Sequence, residues 1–388
     1  MDKANTCSLS FGLRRLEGRV ERYREVVQQV FNPSWRTLYL QRARLHKSLY
    51  WCFMHVFELT RKLIDIESVT PNEEAVGIYL ADLLGQLASK TGGRVERIEV
   101  EPKRYNVLAT WDQPVVTLST HIDTVPPFFP SREDAEFIWG RGACDTKGLM
   151  AAMIKAVEGL LSEGVRGIAL LFVVGEERNS AGAYAAAKDN RGSKYIINGE
   201  PTESKLALGS KGAMRFEIVA TGRMAHSAYP HLGESAIEKL LDALQKIRQI
   251  PLPVDATLGA STLNIGTIQG GRAPNVIPDH AKAEVFIRLV DSGENTRAAV
   301  HEAVLGLAEA KEILVIPALR LEAVEGFETS VVSYTTDIPA FNGAWGKPLL
   351  FGPGSILVAH TEQERIPKNE LEAAVGNYQK LVRHLIQL

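Results

Sequence analysis

Seven side chains that can bind a cation or move a proton occur in order along the 388-residue chain: His121 and Asp123, Asp145, the adjacent Glu176 and Glu177, Glu200, and His360. Singly, each has an ordinary reading. His121 and Asp123 follow the apolar run from Val115 to Thr120; two residues apart on extended chain, they point to the same side, which suits a hydrogen-bonded pair as well as a metal site. Asp145 lies in Gly140-Arg-Gly-Ala-Cys-Asp-Thr-Lys-Gly148, just before a helical stretch, where an N-cap aspartate needs no metal. The flanking glycines would also let backbone approach a ligand closely. Glu176 and Glu177 end the apolar run from Ile168 to Val174 and read equally as solvated loop acids.

The joint pattern says more. Imidazole nitrogen with carboxylate oxygen, and no thiolate, suits zinc, cobalt or manganese. The number of groups matches two divalent ions about 3.5–4 Å apart that share one carboxylate. Adjacent acids fit such a site, because one can hold an ion while its neighbour handles a proton. The Gly140–Gly148 segment lacks the Gly-x-x-x-x-Gly-Lys-Ser/Thr spacing of a phosphate loop, so nucleotide binding is not expected.

These residues need a scaffold, and from Met54 onward helices and strands alternate. A stripe of Phe57, Leu59, Leu63 and Ile64 predicts a helix. Thr70-Pro-Asn-Glu73 reads as a capping box opening a second helix that runs to Gly92-Gly93. Short apolar strands are predicted at 106–110, 115–120, 168–174 and 195–198, with a helix over 147–161 between the second and third. The expected fold is α/β: a mainly parallel sheet covered by helices on both faces, with the polar residues just beyond the strands' carboxyl ends. From Lys211 the pattern becomes strand (214–221), helix (233–250), strand (261–267), strand (282–290), helix (296–310), strand, an α+β sandwich. The expected organisation is a catalytic, metal-binding domain of residues 54–211 plus 328–388, closed by a helix over 369–388, and an inserted domain of residues 212–327.

Composition narrows the class. Hydrophobic residues at 45% and charged residues at 23% are ordinary for a soluble globular protein. A formal charge of −2 gives no pull toward nucleic acid or an anionic membrane surface, and neither partner is expected. No apolar run of about 18 residues occurs, so no membrane span is expected. Three scattered cysteines (Cys7, Cys52, Cys144) form no disulfide framework, and with a polar N-terminus they point to the cytoplasm. Residues 1–53 differ from the rest, with ten basic against four acidic residues, leaving −8 for the remainder. They read as a poorly ordered extension or a non-native start ahead of Met54, the alternative being a basic arm for an acidic partner or for targeting.

The motifs His121-Ile-Asp123-Thr-Val-Pro, Gly140 to Gly148, Gly175-Glu176-Glu177 and Gly199-Glu200-Pro-Thr, with a late histidine, resemble the acetylornithine deacetylase / succinyl-diaminopimelate desuccinylase / carboxypeptidase G family of dizinc metallohydrolases. The resemblance spans Met54 to Leu388. It implies two zinc (or cobalt) ions: Asp145 bridging, His121 and Glu200 completing one site, Glu177 and His360 the other. It implies Glu176 as general base and Asp123 as the carboxylate that fixes His121. The inserted domain resembles the family's dimerisation (lid) domain, which implies a homodimer. There Arg223-Met-Ala-His226-Ser resembles the motif whose histidine stabilises the tetrahedral intermediate, often across the dimer. Asn275, in Gly270-Gly-Arg-Ala-Pro-Asn275-Val-Ile-Pro, would be a substrate or interface contact. Arg288 would grip a substrate carboxylate, with a surface arginine on a strand as the alternative. Departures are Thr120 where the family more often has Gly, the short interval of 24 positions from His121 to Asp145, and the first 53 residues.

The expected activity is hydrolysis of the amide of a small N-acyl amino acid. Glu200 resembles the deacylase and carboxypeptidase members, and Tyr334-Thr-Thr-Asp337-Ile-Pro looks most like acetylornithine deacetylase, which would belong to arginine biosynthesis. Desuccinylase and dipeptidase or carboxypeptidase activities follow. An aminopeptidase, which would need a free substrate α-amino group, and a catalytically silent binding homologue are the rivals.

Overall fold

A computed structural model describes residues 54–387 except 190; the expected extension at 1–53 lies outside the described residues. From Val56 onward the chain forms one compact unit. It begins with α1 (Val56–Ile64) and α2 (Glu74–Thr91), followed by β1 (Arg94–Glu101), β2 (Arg104–Trp111) and β3 (Val116–His121). Next come α3 (Gly148–Ser162), β4 (Ile168–Val173), α4 (Ala181–Ala187) and β5 (Tyr195–Asn198). The inserted region supplies β6 (Gly212–Thr221), α5 (Ala236–Arg248), β7 (Thr262–Gly270), β8 (His280–Leu289), α6 (Glu294–Ala303) and β9 (Glu309–Ile316). The chain returns through β10 (Lys347–Leu350) and closes with α7 (Lys368–Gln387).

The first sheet has the order β1-β2-β4-β3-β5-β10. β4, β3, β5 and β10 pair in parallel, whereas β1 and β2 join antiparallel at one side. The parallel half suits its residues: β3 and β4 are buried along their whole length, as strands covered on both faces must be. α3 packs with α1, α2 and α7, burying Leu149, Met150, Met153, Val157 and Leu160. Each such side chain contributes about 1.5–3 kcal/mol relative to exposure. On the other face Ala183, Ala186, Phe341 and Trp345 pack against Leu108, Leu171 and Ile196. Among the described residues no helix is long and apolar enough to cross a membrane.

The second sheet, β7-β8-β6-β9, is antiparallel throughout. Alternation in β6 and β8 sends Phe216, Ile218, Val285 and Ile287 to one face, where α5 and α6 cover them. α5 starts at a true cap, Ser235 Oγ accepting the Glu238 N–H, and buries Leu240, Ala243, Leu244 and Ile247 at helical spacing. A short strand, Leu206–Ser210, pairs both with Leu319–Arg320 leaving the second sheet and with Thr329–Val332 returning to the first.

Three local expectations are corrected. Thr70-Pro-Asn-Glu73 is not a capping box: α2 begins at Glu74 with no side-chain cap, the Thr70 hydroxyl donates to Asp123 Oδ2 at 2.6 Å, and Glu73 forms a two-pronged ion pair with Arg104. Asp145 is not an N-cap, for α3 starts at Gly148 and its cap residue is Lys147. The helix expected over 296–310 ends at Ala303; Gly306 at φ 75° turns the chain into β9.

Candidate active site

His121 is the last residue of β3, Gly175-Glu176-Glu177 follows β4, Glu200 follows β5, and His360 lies ten residues beyond the end of β10. All four leave the carboxyl ends of neighbouring parallel strands, so they converge on one edge of the sheet. Asp145 is brought to the same edge by the tight segment preceding α3. There Gly142 takes φ 87°, and an added Cβ would stand 3.0 Å from Thr124 and 3.1 Å from Lys147.

Asp145 is shared between the two histidines. Its Oδ1 lies 2.9 Å from His121 Nε2 and its Oδ2 3.2 Å from His360 Nε2. His360 Nε2 is also 3.1 Å and 3.0 Å from the two Glu177 oxygens. A single ring nitrogen facing three carboxylate oxygens cannot satisfy them all with one N–H. Ligand atoms of His121, Asp145 and Glu200 fall within 4.8 Å of one another, as do those of Asp145, Glu177 and His360. Glu200 Oε1 is buried with no hydrogen-bond partner among the described residues. Imidazole and carboxylate donors, one shared carboxylate and an orphaned buried oxygen fit two divalent ions. His360 takes a left-handed backbone, φ 62°, uncommon for a non-glycine residue and costly to hold.

The charges are poorly balanced without cations. Burial pushes the Glu176 carboxyl well above its ordinary pKa, Glu200 adding to the rise and His121 opposing it. Burial likewise lifts Glu200 well above the usual range. Asp145 behaves differently: burial would raise it, but its hydrogen bonds with His121 and His360 hold it below the ordinary value. Hydrogen bonds to Asp145 and Glu177 raise His360 to about 10, against burial.

Asp123 organises this edge. Its Oδ1 accepts the Gly175 and Glu176 N–H groups at 3.0 and 3.1 Å, and its Oδ2 accepts from Glu177 N–H at 3.2 Å and the Thr70 hydroxyl. His121 Nδ1 hydrogen-bonds the Asp123 backbone carbonyl at 3.0 Å, with the Asp123 carboxylate at 3.6 Å. Asp123 thus fixes the turn carrying Glu176 as firmly as it fixes His121.

The cluster opens into a cleft of about 350 Å³, inside the roughly 300–1,000 Å³ range of small-molecule sites. Arg288 lines it from the second sheet. Its Nη1 is buried without a hydrogen-bond partner among the described residues, its guanidinium stacks on the Phe286 ring at 4.8 Å, and burial lowers its pKa. His226 and Asn275 are not brought to this cleft. Both are exposed, His226 on a two-stranded ribbon facing Val276 and Asn275 in the turn just before the strand of Val276, where its carbonyl accepts the Ser227 N–H at 3.0 Å.

Several supporting residues escape sequence reasoning. Glu364, fully buried, accepts from Arg141 Nη1 at 2.6 Å and from the Asp145 N–H at 3.3 Å. Asp337 is buried with both oxygens lacking a hydrogen bond of normal geometry, although Ser180 leans toward it, and burial pushes it up to about 7. Thr120, the departure noted in the sequence, lies 2.8 Å from both Thr146 Oγ1 and the Gly199 carbonyl, while Thr146 donates to the His121 carbonyl. One side chain therefore joins the segments carrying His121, Asp145 and Glu200. Arg141 stands out in the sequence only as part of the Gly140–Gly148 motif, and Glu364 reads as one more acid in a polar loop.

Residues 208–312 match the model of the peptidase dimerisation domain, and residues 106–251 that of peptidase family M28. The chain is 39% identical over 353 residues to a peptidase M20 domain-containing protein of Schizosaccharomyces pombe, covering 87% of each. It is 37% identical over 373 residues to a probable carboxypeptidase of Aspergillus clavatus, covering 84% of this chain and 82% of that one. In fold it is similar to the aminopeptidase PepT of Bacillus cereus, with a TM-score of 0.71 at 20% identity over 85% of this chain and 98% of the other. A catalytic domain carrying two overlapping triads that could each hold a cation, a dimerisation domain, and relatives of this closeness place the chain in the M20 family of metallopeptidases.

Proposed function

We propose that this enzyme hydrolyses the amide bond of a small substrate whose leaving residue carries a free carboxylate, as an N-acyl amino acid or a peptide's C-terminal residue does. The observation that carries this reading is Arg288: a desolvated guanidinium with a nitrogen that has no hydrogen-bond partner among the described residues, in the same cleft as the metal-type cluster. A carboxylate is the anion it matches, through paired charge-assisted hydrogen bonds. Carboxypeptidase and acyl-amino-acid hydrolase are therefore favoured over aminopeptidase. The acetylornithine and desuccinylase activities are special cases of this reading.

His121, Asp145 and Glu200 would hold one divalent cation and Asp145, Glu177 and His360 the other, zinc or cobalt being suited to these donors. Such cations polarise a carbonyl and acidify water. Glu176 takes the proton of the attacking water and returns it to the leaving nitrogen, both of which a carboxylate beside the cluster can do. Asp123 positions Glu176 through that residue's backbone N–H. Residues 54–211 with 328–388 act as the catalytic domain and 212–327 as the dimerisation domain of a cytoplasmic homodimer. In it the exposed His226 and Asn275 reach a partner's cleft, His226 stabilising the oxyanion.

The test compares an N-acyl amino acid with its C-terminal amide and a dipeptide with its N-acetylated form. The reading expects the amide to be a poor substrate and N-acetylation to be tolerated. Strict dependence on a free α-amino group would move the protein to the aminopeptidases, and no turnover by folded, metal-loaded protein would favour a silent homologue.

A further inference from the structure

The wall beside Arg288 carries information about the substrate's side chain. Across the second sheet Arg288 pairs with Ala213, and Ala213 with Ile316, so the three lie in one row and on one face. Two strand spacings, about 10 Å, separate the outer two. Leu314, two residues before Ile316, shares that face, whereas Val315 between them packs into the core under α5 and α6. Leu314 and Ile316 line the cleft, and Leu314 is 41% exposed, a large apolar side chain turned to solvent within reach of a polar cluster. Ile356 lines the same cleft from the segment leading to His360.

The available charges complement this. The carboxylates lining the cleft are Asp145, Glu176, Glu177 and Glu200, all committed to the cation cluster or to proton transfer. Of the acids elsewhere on the open face of the sheet, Glu284 is paired with Arg215 at 2.7 Å and Glu217 with Lys282 at 3.0 Å, and Glu309 stands at the far end of β9, five residues before Leu314 and outside the cleft lining. A cationic substrate side chain lying along this wall would find Arg288 and apolar carbons but, among the described residues lining the cleft, no carboxylate outside the cluster.

Resting on the carboxylate-clamp reading above, we infer that the residue released by hydrolysis has an apolar side chain, leucine- or phenylalanine-like, which lies on Leu314 and Ile316 while Arg288 holds its carboxylate. Ornithine, lysine and diaminopimelate derivatives are disfavoured by the same wall.

The experiment measures kcat/KM of the metal-loaded full chain for N-acetyl-leucine, N-acetylornithine and N-acetylglutamate, with calorimetric binding of each as a second readout. The wild type should favour the leucine compound by about 10–200-fold, the range one or two apolar contacts can supply. Leu314→Asp, an exposed site whose change should spare the fold, should shrink or reverse the leucine-to-ornithine ratio. Leu314→Ala with Ile316→Ala should flatten it. Equal or better use of N-acetylornithine, or a ratio unmoved by these substitutions, overturns the inference while leaving the hydrolase reading intact. Absence of turnover across the panel overturns the hydrolase reading instead, and the binding ratio then still decides the character of the wall.

Discussion

The Glu364 carboxylate holds the Asp145 backbone from behind the site, accepting its N–H at 3.3 Å while Arg141 donates to the other oxygen at 2.6 Å. The residue that would bridge two cations is thus fixed through a buried ion pair that touches neither of them. Burial and the charge of Asp145 push Glu364 up to about 7, and Arg141 opposes the rise. Glu364→Ala should destabilise the protein by about 3–5 kcal/mol, because it strands the Arg141 charge in the interior. Metal affinity should drop about 10–100-fold, as when the support of a ligand is lost. Glu364→Gln, which keeps a carbonyl acceptor, should lose less of both. Denaturant unfolding and metal titration of the two variants check this.

Thr120 makes a smaller contribution of the same kind. Two hydroxyls, Thr120 and Thr146, face two carbonyls, those of Gly199 and His121, so both protons are used. Thr120→Val keeps the shape and leaves the Gly199 carbonyl without its hydroxyl donor, at a cost of about 1–3 kcal/mol. The expected readout is a lower unfolding midpoint with weaker metal retention; an unchanged midpoint would show that the link is idle.

Proton and cation compete for the His360 ring. Hydrogen bonds to Asp145 and Glu177 lift the His360 pKa to about 10 from 6.5. The stabilisation from this raised pKa is full below the unfolded value and is lost as pH rises through about 10. Metal ligation needs the neutral ring, so loading must expel the proton. Metal affinity should tighten steadily as pH rises from about 6 to about 9, with net proton release. Calorimetry in buffers of different ionisation enthalpy measures that release.

How much of this was legible beforehand follows from the kind of signal involved. Period-two alternation in Met214–Thr221 and Lys282–Val290 and the all-apolar run at Ile168 marked strands correctly, because burial on one or both faces writes directly into residue type. The ordered polar residues at strand ends pointed to one edge of the sheet, and the ligand atoms of His121, Asp145, Glu177, Glu200 and His360 do come together there. Supports that depend on contacts distant in sequence were not legible. Glu364 meets Asp145 across 219 positions, and Thr70 looked like a helix cap until its hydroxyl was found on Asp123. β1, with its alternating charges, went unpredicted because an edge strand with little burial shows little apolar signal.

If His226 serves the partner's cleft, two inactive variants should complement each other. Neither Glu176→Gln nor His226→Ala alone should retain much activity. Co-refolded in equal amounts, they should recover about a quarter of wild-type turnover, since half the dimers then contain one intact composite site. Full activity of His226→Ala alone would place His226 outside the reaction, and recovery near zero from two inactive variants would show that it does not serve the partner's cleft.

The most direct test of the central claim is the turnover of Glu176→Gln with its metal content measured on the same sample. Glu176 is held by Asp123 beside, but outside, the two triads that could hold cations. The substitution should therefore leave two ions bound and lower kcat by about 10²–10⁴-fold, the usual worth of a positioned general base. Undiminished turnover with both ions in place would contradict the assignment of proton transfer to Glu176, and with it the mechanism.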